Sequence, residues 1–596
     1  MIETAKGIEP KYRFAGMQLD QDGTVRRGEW LVRLGLPELA VLEYLLAHAG
    51  EVVTPQQLKE VLWGAESASA ESVAKCIRSL QERFESKDLI QTIPKRGYRI
   101  SVEVERGKRA EERGWRLAIM PMSPGYSVAE HMGAAIAEET IARLTDLRPA
   151  NLTVLARDSV FTLARCGRTA LQIGVALRAD LVLSGTLSAA TKHYRLRAEM
   201  LRVSDGAQIW VEDLLVEQNR LAGLESELVE RLAFRLGKEL LDKECSAPRV
   251  ENGEVTLRAA AESDEEVARR REAYELFLHG HHEWQTLERH RMQDGLRQLR
   301  RAIELDPTLL AAKTDLAQLC ITQGAYGYMA PTVEAELIRH TAATIDDLHE
   351  AESILPALGW ISFHVDHNLN EALKAFRLSA HLPHSQWTTR ARSSLALSRH
   401  RFGEAIEILR AAMRVDPYSA WLHNRLAWAH HLAGEREKSV ELIHRTLSMF
   451  PDHEVNGFYG AMIFAHNGEA ERGTKLAQQL TQSSPYFDPS TSVCAYTLAC
   501  EGRQEEARAM LERLQWLGRE RFVLRSFNPA VYVALGEPEN ALAELRSAEE
   551  ARCPWFFQML ADPRLEALRG EAEFARMQRI LSRMEEEAEE DARLEA

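Results

Sequence analysis

Ser72, Lys75, Arg78 and Ser79 recur along one short stretch, residues 70–84, and Lys95, Arg96 and Arg99 cluster around Gly97 just downstream. Hydroxyls and cations in such patterns are hydrogen-bond donors, and what they can do together is hold an anion. Small or basic side chains along a helix suit the edges of bases in a major groove. Cations on a tight hairpin suit backbone phosphates. The chemistry these residues point to is recognition of double-stranded DNA.

The elements that must position them follow from the same stretch. Val73, Ile77, Leu80 and Phe84 are spaced by four, three and four, which predicts a helix over 70–84 with one buried stripe. Ser72, Lys75, Cys76 and Ser79 fall largely on the other side, with Arg78 on the flank. Leu89–Ile93 and Tyr98–Val102 then read as a β-hairpin. Upstream, Leu39, Leu42, Leu45 and Leu46 form the stripe of a helix with Pro37 near its start and Gly50 beyond its end. Thr54 caps a second helix, in which Leu58, Val61 and Leu62 face inward. Before these, residues 12–35 alternate apolar and polar around Asp22-Gly23, as three or four short antiparallel strands do.

The run from Leu36 to Lys59, then Val61-Leu62-Trp63-Gly64, then Ile93-Pro-Lys-Arg-Gly-Tyr-Arg-Ile100 resembles the OmpR/PhoB-type winged helix of bacterial transcription regulators. The resemblance covers residues 9–104 and implies that helix 70–84 is the recognition helix. It implies DNA contact from Ser72, Lys75, Arg78, Ser79, Lys95, Arg96 and Arg99. Residues 1–105 hold 14 Lys and Arg against 16 Asp and Glu, a net of −2. A domain so balanced binds modestly unless several copies bind together, so a homo-oligomer on DNA is expected.

The chain has 596 residues and a net charge of −15, with 45% apolar and 27% charged residues. That length needs several cores, and the overall charge argues against general adhesion to nucleic acid, so any DNA binding must come from a local basic patch. No apolar run approaches the roughly 18 residues of a membrane helix, and the first residues lack a signal peptide's apolar core. A cytoplasmic location without membrane contact is the expectation. The seven cysteines contain no CxxC pair, which suits reduced thiols rather than disulfides or zinc.

Residues 105–114 are charged and read as a linker. Residues 115–243 alternate strands and helices, giving a small α/β domain with Ser204-Asp205-Gly206 as a hairpin turn. Its segments LAIMPM, MGAAIAEETIARL, TVLARDSVF, ADLVLSGTLS and GAQIWVEDL resemble the TolB-N-like domain of some bacterial regulators. Arg157, Asp158 and Ser159 end a strand there, where either a ligand or ordinary loop polarity is the reading.

A second polar linker covers 244–267. Beyond it Pro383, Pro417, Pro451 and Pro485 stand 34 residues apart, the period of tetratricopeptide (TPR) repeats. Ser393, Ala427 and Ala461 recur in register, as do Ala405, Ser439 and Gly473, where paired helices must approach closely. Seven to nine units over 268–585 are expected, with an insertion or degenerate repeat at 324–350 and a frayed acidic tail. The concave face of such a solenoid takes a protein or peptide. Trp387, Trp421, His423, Arg425, Trp428, His430 and Tyr459 are candidates for it or for internal packing. Arg392, Arg399, Arg425 and His430 are the expected exposed contacts.

No catalytic, cofactor-binding or metal-ligating set emerges. His279, His281 and His282 could suggest a metal site, but no Cys or carboxylate is read at a ligand spacing from them, and a solvent-facing helix cluster is the expectation. Gly468 to Lys475 nearly matches a phosphate loop, but its Thr-Lys order is reversed and it follows a helix. The chain therefore reads as a multidomain non-enzyme without cofactor: a winged helix (α+β), a small α/β domain and an all-α TPR solenoid. The order resembles that of HilA-like and CadC/ToxR-like regulators, without the membrane helix of the latter. Promoter DNA, RNA polymerase and a protein, peptide or small ligand are the expected partners. The alternative is a TPR scaffold whose winged helix only docks proteins.

Overall fold

Leu39, Leu42, Leu45 and Leu46 are all buried, at 8% exposure or less, because helical periodicity brings them to one side of α1 (Leu36–Ala47). Around α1 stand strands β1 (Tyr12–Phe14), β2 (Met17–Leu19), β3 (Thr24–Arg27) and β4 (Trp30–Arg33). Then come helices α2 (Pro55–Trp63) and α3 (Ala70–Arg83), and the hairpin β5 (Ile90–Ile93) and β6 (Gly97–Ile100). The computed structural model describes residues 12–19, 24–27, 30–34, 36–63, 70–84, 89–94, 96–106, 114–146, 152–190, 193–217, 224, 227–232, 264–285, 287–345, 352–379, 386–451 and 453–595.

The leading sheet is antiparallel in the order β4-β3-β2-β1-β7. Its last member, β7 (Val104–Arg106), corrects the expected linker start: Glu105 pairs with Arg13 and Arg106 with Tyr12. The free edge of β1 offers unpaired backbone groups, and the outgoing chain satisfies them. Phe14, Leu19, Leu42, Leu58, Val73, Ile77, Leu80 and Phe84 share one core beneath this sheet.

The hairpin is fastened to the segment between α1 and α2. Val53 donates its N–H to the Tyr98 carbonyl at 2.8 Å, and Tyr98 donates to the Val53 carbonyl at 2.9 Å. The neighbouring Gly97 has φ +140°, and a Cβ there would lie 2.0 Å from the Val53 oxygen. Only glycine permits that approach.

The α/β region has strands β8 (Trp115–Ile119), β9 (Ser123–Pro124), β10 (Leu152–Val154), β11 (Leu181–Ala189), β12 (His193–Arg202) and β13 (Gln208–Glu217). They form one sheet in the order β10-β8-β11-β12-β13, with β9 beside β11. β10, β8 and β11 are parallel; β12 runs antiparallel to β11. The crossovers that parallel pairing demands are α4 (Glu130–Asp146), α5 (Arg157–Arg165) and α6 (Ala170–Leu177). Arg157, Asp158 and Ser159 thus open a helix rather than end a strand. Arg157 pairs with Glu138 at 2.8 Å, and Ser159 is fully buried.

From Asp264 onward the described elements are all helices. Among them, eight antiparallel pairs follow one another: α7 (Asp264–Trp284) with α8 (Arg289–Leu305), α9 (Leu310–Tyr326) with α10 (Pro331–Ala342), α11 (Leu355–His364) with α12 (Leu369–Leu378), α13 (Gln386–Ser398) with α14 (Phe402–Val415), α15 (Ala420–Leu432) with α16 (Arg436–Met449), α17 (Glu454–His466) with α18 (Ala470–Ser483), α19 (Asp488–Cys500) with α20 (Gln504–Glu520), and α21 (Asn528–Ala534) with α22 (Pro538–Glu550). Close approach of the two helices of a pair explains the small residues that recur in register: a Cβ on Gly473 would lie 2.7 Å from the Ala461 carbonyl. No described helix is long and apolar enough to cross a membrane.

The inner side of this array differs from expectation. Nearly every residue of α15 is buried, because α23 (Phe556–Met559) and the 3-10 turn Pro563–Leu568 pack where an open groove was expected. Arg425, 3% exposed, donates to Ser394, Tyr459 and Gln558, and its guanidinium lies over the Trp555 ring. Trp428 donates to Gln558, His431 pairs with Asp562, and His430 is buried against Glu435. The Arg399 side chain is likewise not exposed; it makes two bonds to Glu585, at 2.6 and 2.7 Å. Arg392, the last of the expected exposed contacts, is half-buried. The acidic tail is also not frayed. It forms α24 (Ala572–Glu595), with Phe574, Met577, Met584 and Ala588 buried.

Candidate nucleic-acid interface

The roll of α3 decides which of its side chains face outward. Val73, Ile77, Leu80 and Phe84, all at 4% exposure or less, turn one side to the core. At 100° per residue, the opposite meridian carries Lys75 and, seven positions on, Glu82, with Arg78 between them. All three are exposed. Among the described residues none of them makes an ion pair or hydrogen bond within the protein, so their charged ends are available to a ligand.

One flank of α3 is held from α1. Ser79 donates its hydroxyl to Glu38, and Arg83 Nε donates to the same carboxylate oxygen at 3.1 Å. Glu38 is 9% exposed. Burial, and then the Glu38 carboxylate, hold the Cys76 thiol above its ordinary pKa, so it stays protonated. Two of the expected contact residues on the helix, Lys75 and Arg78, are thus exposed without a partner among the described residues, whereas the Ser79 hydroxyl is engaged inside the domain. Ser72 lies in the first turn of α3, and its side chain falls outside the described residues.

On the hairpin, Arg96 is exposed at the tip. Arg99 is half-buried and donates Nη2 to Gln91 Oε1 at 3.0 Å. Ser101 donates to the same oxygen, also at 3.0 Å. Lys95 falls outside the described residues. The structure brings Lys75 and Arg78 into one row on α3 and sets Arg96 on a separate element fixed to Val53. At the start of α2, Thr54 and Gln57 exchange reciprocal bonds of 2.9 and 3.2 Å, a capping box that fixes where the helix begins.

Sequence reasoning missed two residues here. Glu82 was open to simple counting, since it stands seven positions after Lys75. Glu38 was not, because its partners lie 41 and 45 positions away on another helix. A further ion pair joins α1 to the end of α6: Arg178 Nη2 lies 3.6 Å from Glu43 Oε1. Among the described residues no three His, Cys, Asp or Glu side chains are grouped to hold a metal.

Residues 29–100 match the family model "Transcriptional regulatory protein, C terminal". The chain is 23% identical over 514 residues to transcriptional regulator HilA of Salmonella typhimurium, spanning 85% of this chain and 82% of that protein. It is 31% identical over 85 residues to the cholera toxin homolog transcriptional activator of Vibrio parahaemolyticus, 13% of this chain and 29% of that one. Among solved structures it is similar to the DNA-binding domain of E. coli CadC, at 22% identity and a TM-score of 0.16, over 17% of this chain and all of that one.

Proposed function

We propose that the chain is a DNA-binding transcriptional regulator, with residues 9–104 as its DNA-binding domain. Helix α3 enters the major groove with Lys75 and Arg78, and the hairpin sets Lys95 and Arg96 against phosphates. Ser72 supplies a contact at the start of the helix. Ser79 and Arg99 serve the interface by fixing their elements. The observation that carries this reading is the row of exposed, internally unpaired cations on α3, opposite its buried stripe. The family match over 29–100 and the likeness to transcriptional regulators agree with it.

The α/β region (115–243) and the TPR-like region (268–585) are proposed to regulate this domain through a protein, peptide or small ligand. The Glu43–Arg178 pair supports contact of the α/β region with α1. With the inner face of the helical array occupied by residues 555–564, a peptide there would have to replace them. Oligomerisation on DNA, or contact with RNA polymerase, would supplement a domain whose net charge is −2.

That charge also favours a second reading, in which the winged helix docks proteins and the chain is a scaffold. Titrating full-length protein against promoter DNA over a range of salt separates the two. A DNA-binding regulator gives a steep salt dependence and a sequence preference. A scaffold gives neither.

A further inference from the structure

Glu82 has no role in the proposed DNA contacts, yet it lies in the last turn of α3 on the meridian that would face DNA. We infer that Glu82 is a specificity-determining residue that selects a cytosine by accepting a hydrogen bond from its N4 amino group; this rests on the DNA-binding reading of α3.

Three observations place it. Glu82 lies seven residues after Lys75, which returns it to within about 20° of the same meridian and about 10 Å further along the axis. It is exposed, and among the described residues it has no partner. Arg78, four residues earlier, could have paired with it on the helix surface and does not. The neighbouring cation, Arg83, is drawn to Glu38 on the flank. The final turn of α3 therefore shows DNA a bare carboxylate.

A carboxylate so placed is repelled by every phosphate, so it favours binding only where a base gives it a donor. In the major groove the amino groups of cytosine and adenine are the donors. Adenine sets its N7 acceptor beside that amino group, and a carboxylate has no proton to offer it. Cytosine presents its amino group without such an acceptor, so the carboxylate matches it better. Lys75 and Arg78 are donors and match guanine O6 and N7. A separation of about 10 Å is about three base-pair steps. The reading is a guanine contact and a cytosine contact roughly three base pairs apart.

Selection from random DNA with full-length protein tests this, using the wild type, Glu82→Gln and Glu82→Ala. The wild type should enrich cytosine at one position near an enriched guanine. Glu82→Gln should shift that position toward adenine, because an amide offers both the donor and the acceptor that adenine requires. Glu82→Ala should lose roughly tenfold discrimination there while binding unrelated DNA more tightly. If both variants keep every wild-type preference and only bind all sequences more tightly, Glu82 is a general electrostatic brake and the inference fails. If the wild type itself enriches no sequence, the DNA-binding reading fails instead.

Discussion

Ser79 on α3 donates its hydroxyl to the Glu38 carboxylate of α1, and Arg83, one turn further on, donates to the same oxygen. A nearly buried acid on one helix thus fixes the rotation of another about its own axis. That rotation decides which side chains of α3 face outward.

Glu38→Ala should lower the unfolding free energy by about 2 kcal/mol, the usual worth of a charge-assisted hydrogen bond at a buried acceptor. Arg83→Ala should cost less, since its side chain is 45% exposed and its attraction is screened. Glu38→Gln keeps an oxygen acceptor and should fall between the wild type and Glu38→Ala. Denaturant unfolding measures all three.

Lys95→Ala with Arg96→Ala should weaken binding to all DNA sequences alike. The slope of log affinity against log salt should fall by about two, one for each phosphate left without its cation. An unchanged slope removes the hairpin from the interface. Lys75→Ala should instead change which sequences are preferred.

Arg178 ends helix α6 in the left-handed conformation, with φ +53°. A side chain there costs roughly 1 kcal/mol relative to glycine. Arg178→Ala keeps that cost and loses the Glu43 pair, so it should destabilise the protein slightly, while Arg178→Gly loses the pair but also the backbone cost and should be about 1 kcal/mol more stable than Arg178→Ala. Thermal or denaturant unfolding of the two variants makes the comparison. Equal stabilities would show that the Glu43 contact, rather than the backbone, sets the effect.

Burial, with His367 and Arg425 nearby, pushes the His364 imidazole down to about 3. Unfolded, the same ring takes up a proton near its ordinary pKa of about 6.5. Between those values the unfolded chain binds more protons, so stability falls as pH drops from about 6.5 toward 3. At about pH 5 this one ring should cost about 2 kcal/mol relative to about pH 8. Comparing His364→Gln with the wild type across that range isolates it: the variant should show a shallower acid loss.

The Arg399 side chain is 8% exposed and bound through two hydrogen bonds to Glu585. Glu585→Ala would leave that guanidinium buried and uncompensated, and should cost roughly 3 kcal/mol. A loss below about 0.5 kcal/mol, the range of an exposed pair, would mean that α24 is held by Phe574, Met577 and Met584 alone.

Local rules carried much of this protein. The stripes of α1 and α3, the Thr54 cap, the Asp205-Gly206 turn and the 34-residue period all depend on residues close in sequence, and helical or strand periodicity reports them directly. The glycine at position 97 was legible in the same way: the motif named the residue, and the 2.0 Å approach to Val53 explains it.

What the chain does at a distance had no such signal. Arg399, Arg425 and His430 look like surface residues because arginine and histidine are usually solvated. Their side chains are buried because Glu585, 186 positions from Arg399, and Gln558, 133 positions from Arg425, fold back to meet the first two, while the third is enclosed beside Glu435. The same holds at α3. Spacing alone determined which side of the helix is apolar. Only the tertiary contact with Glu38 decided that Ser79 is engaged, because a hydrogen bond is fixed by distance in space and not by position along the chain.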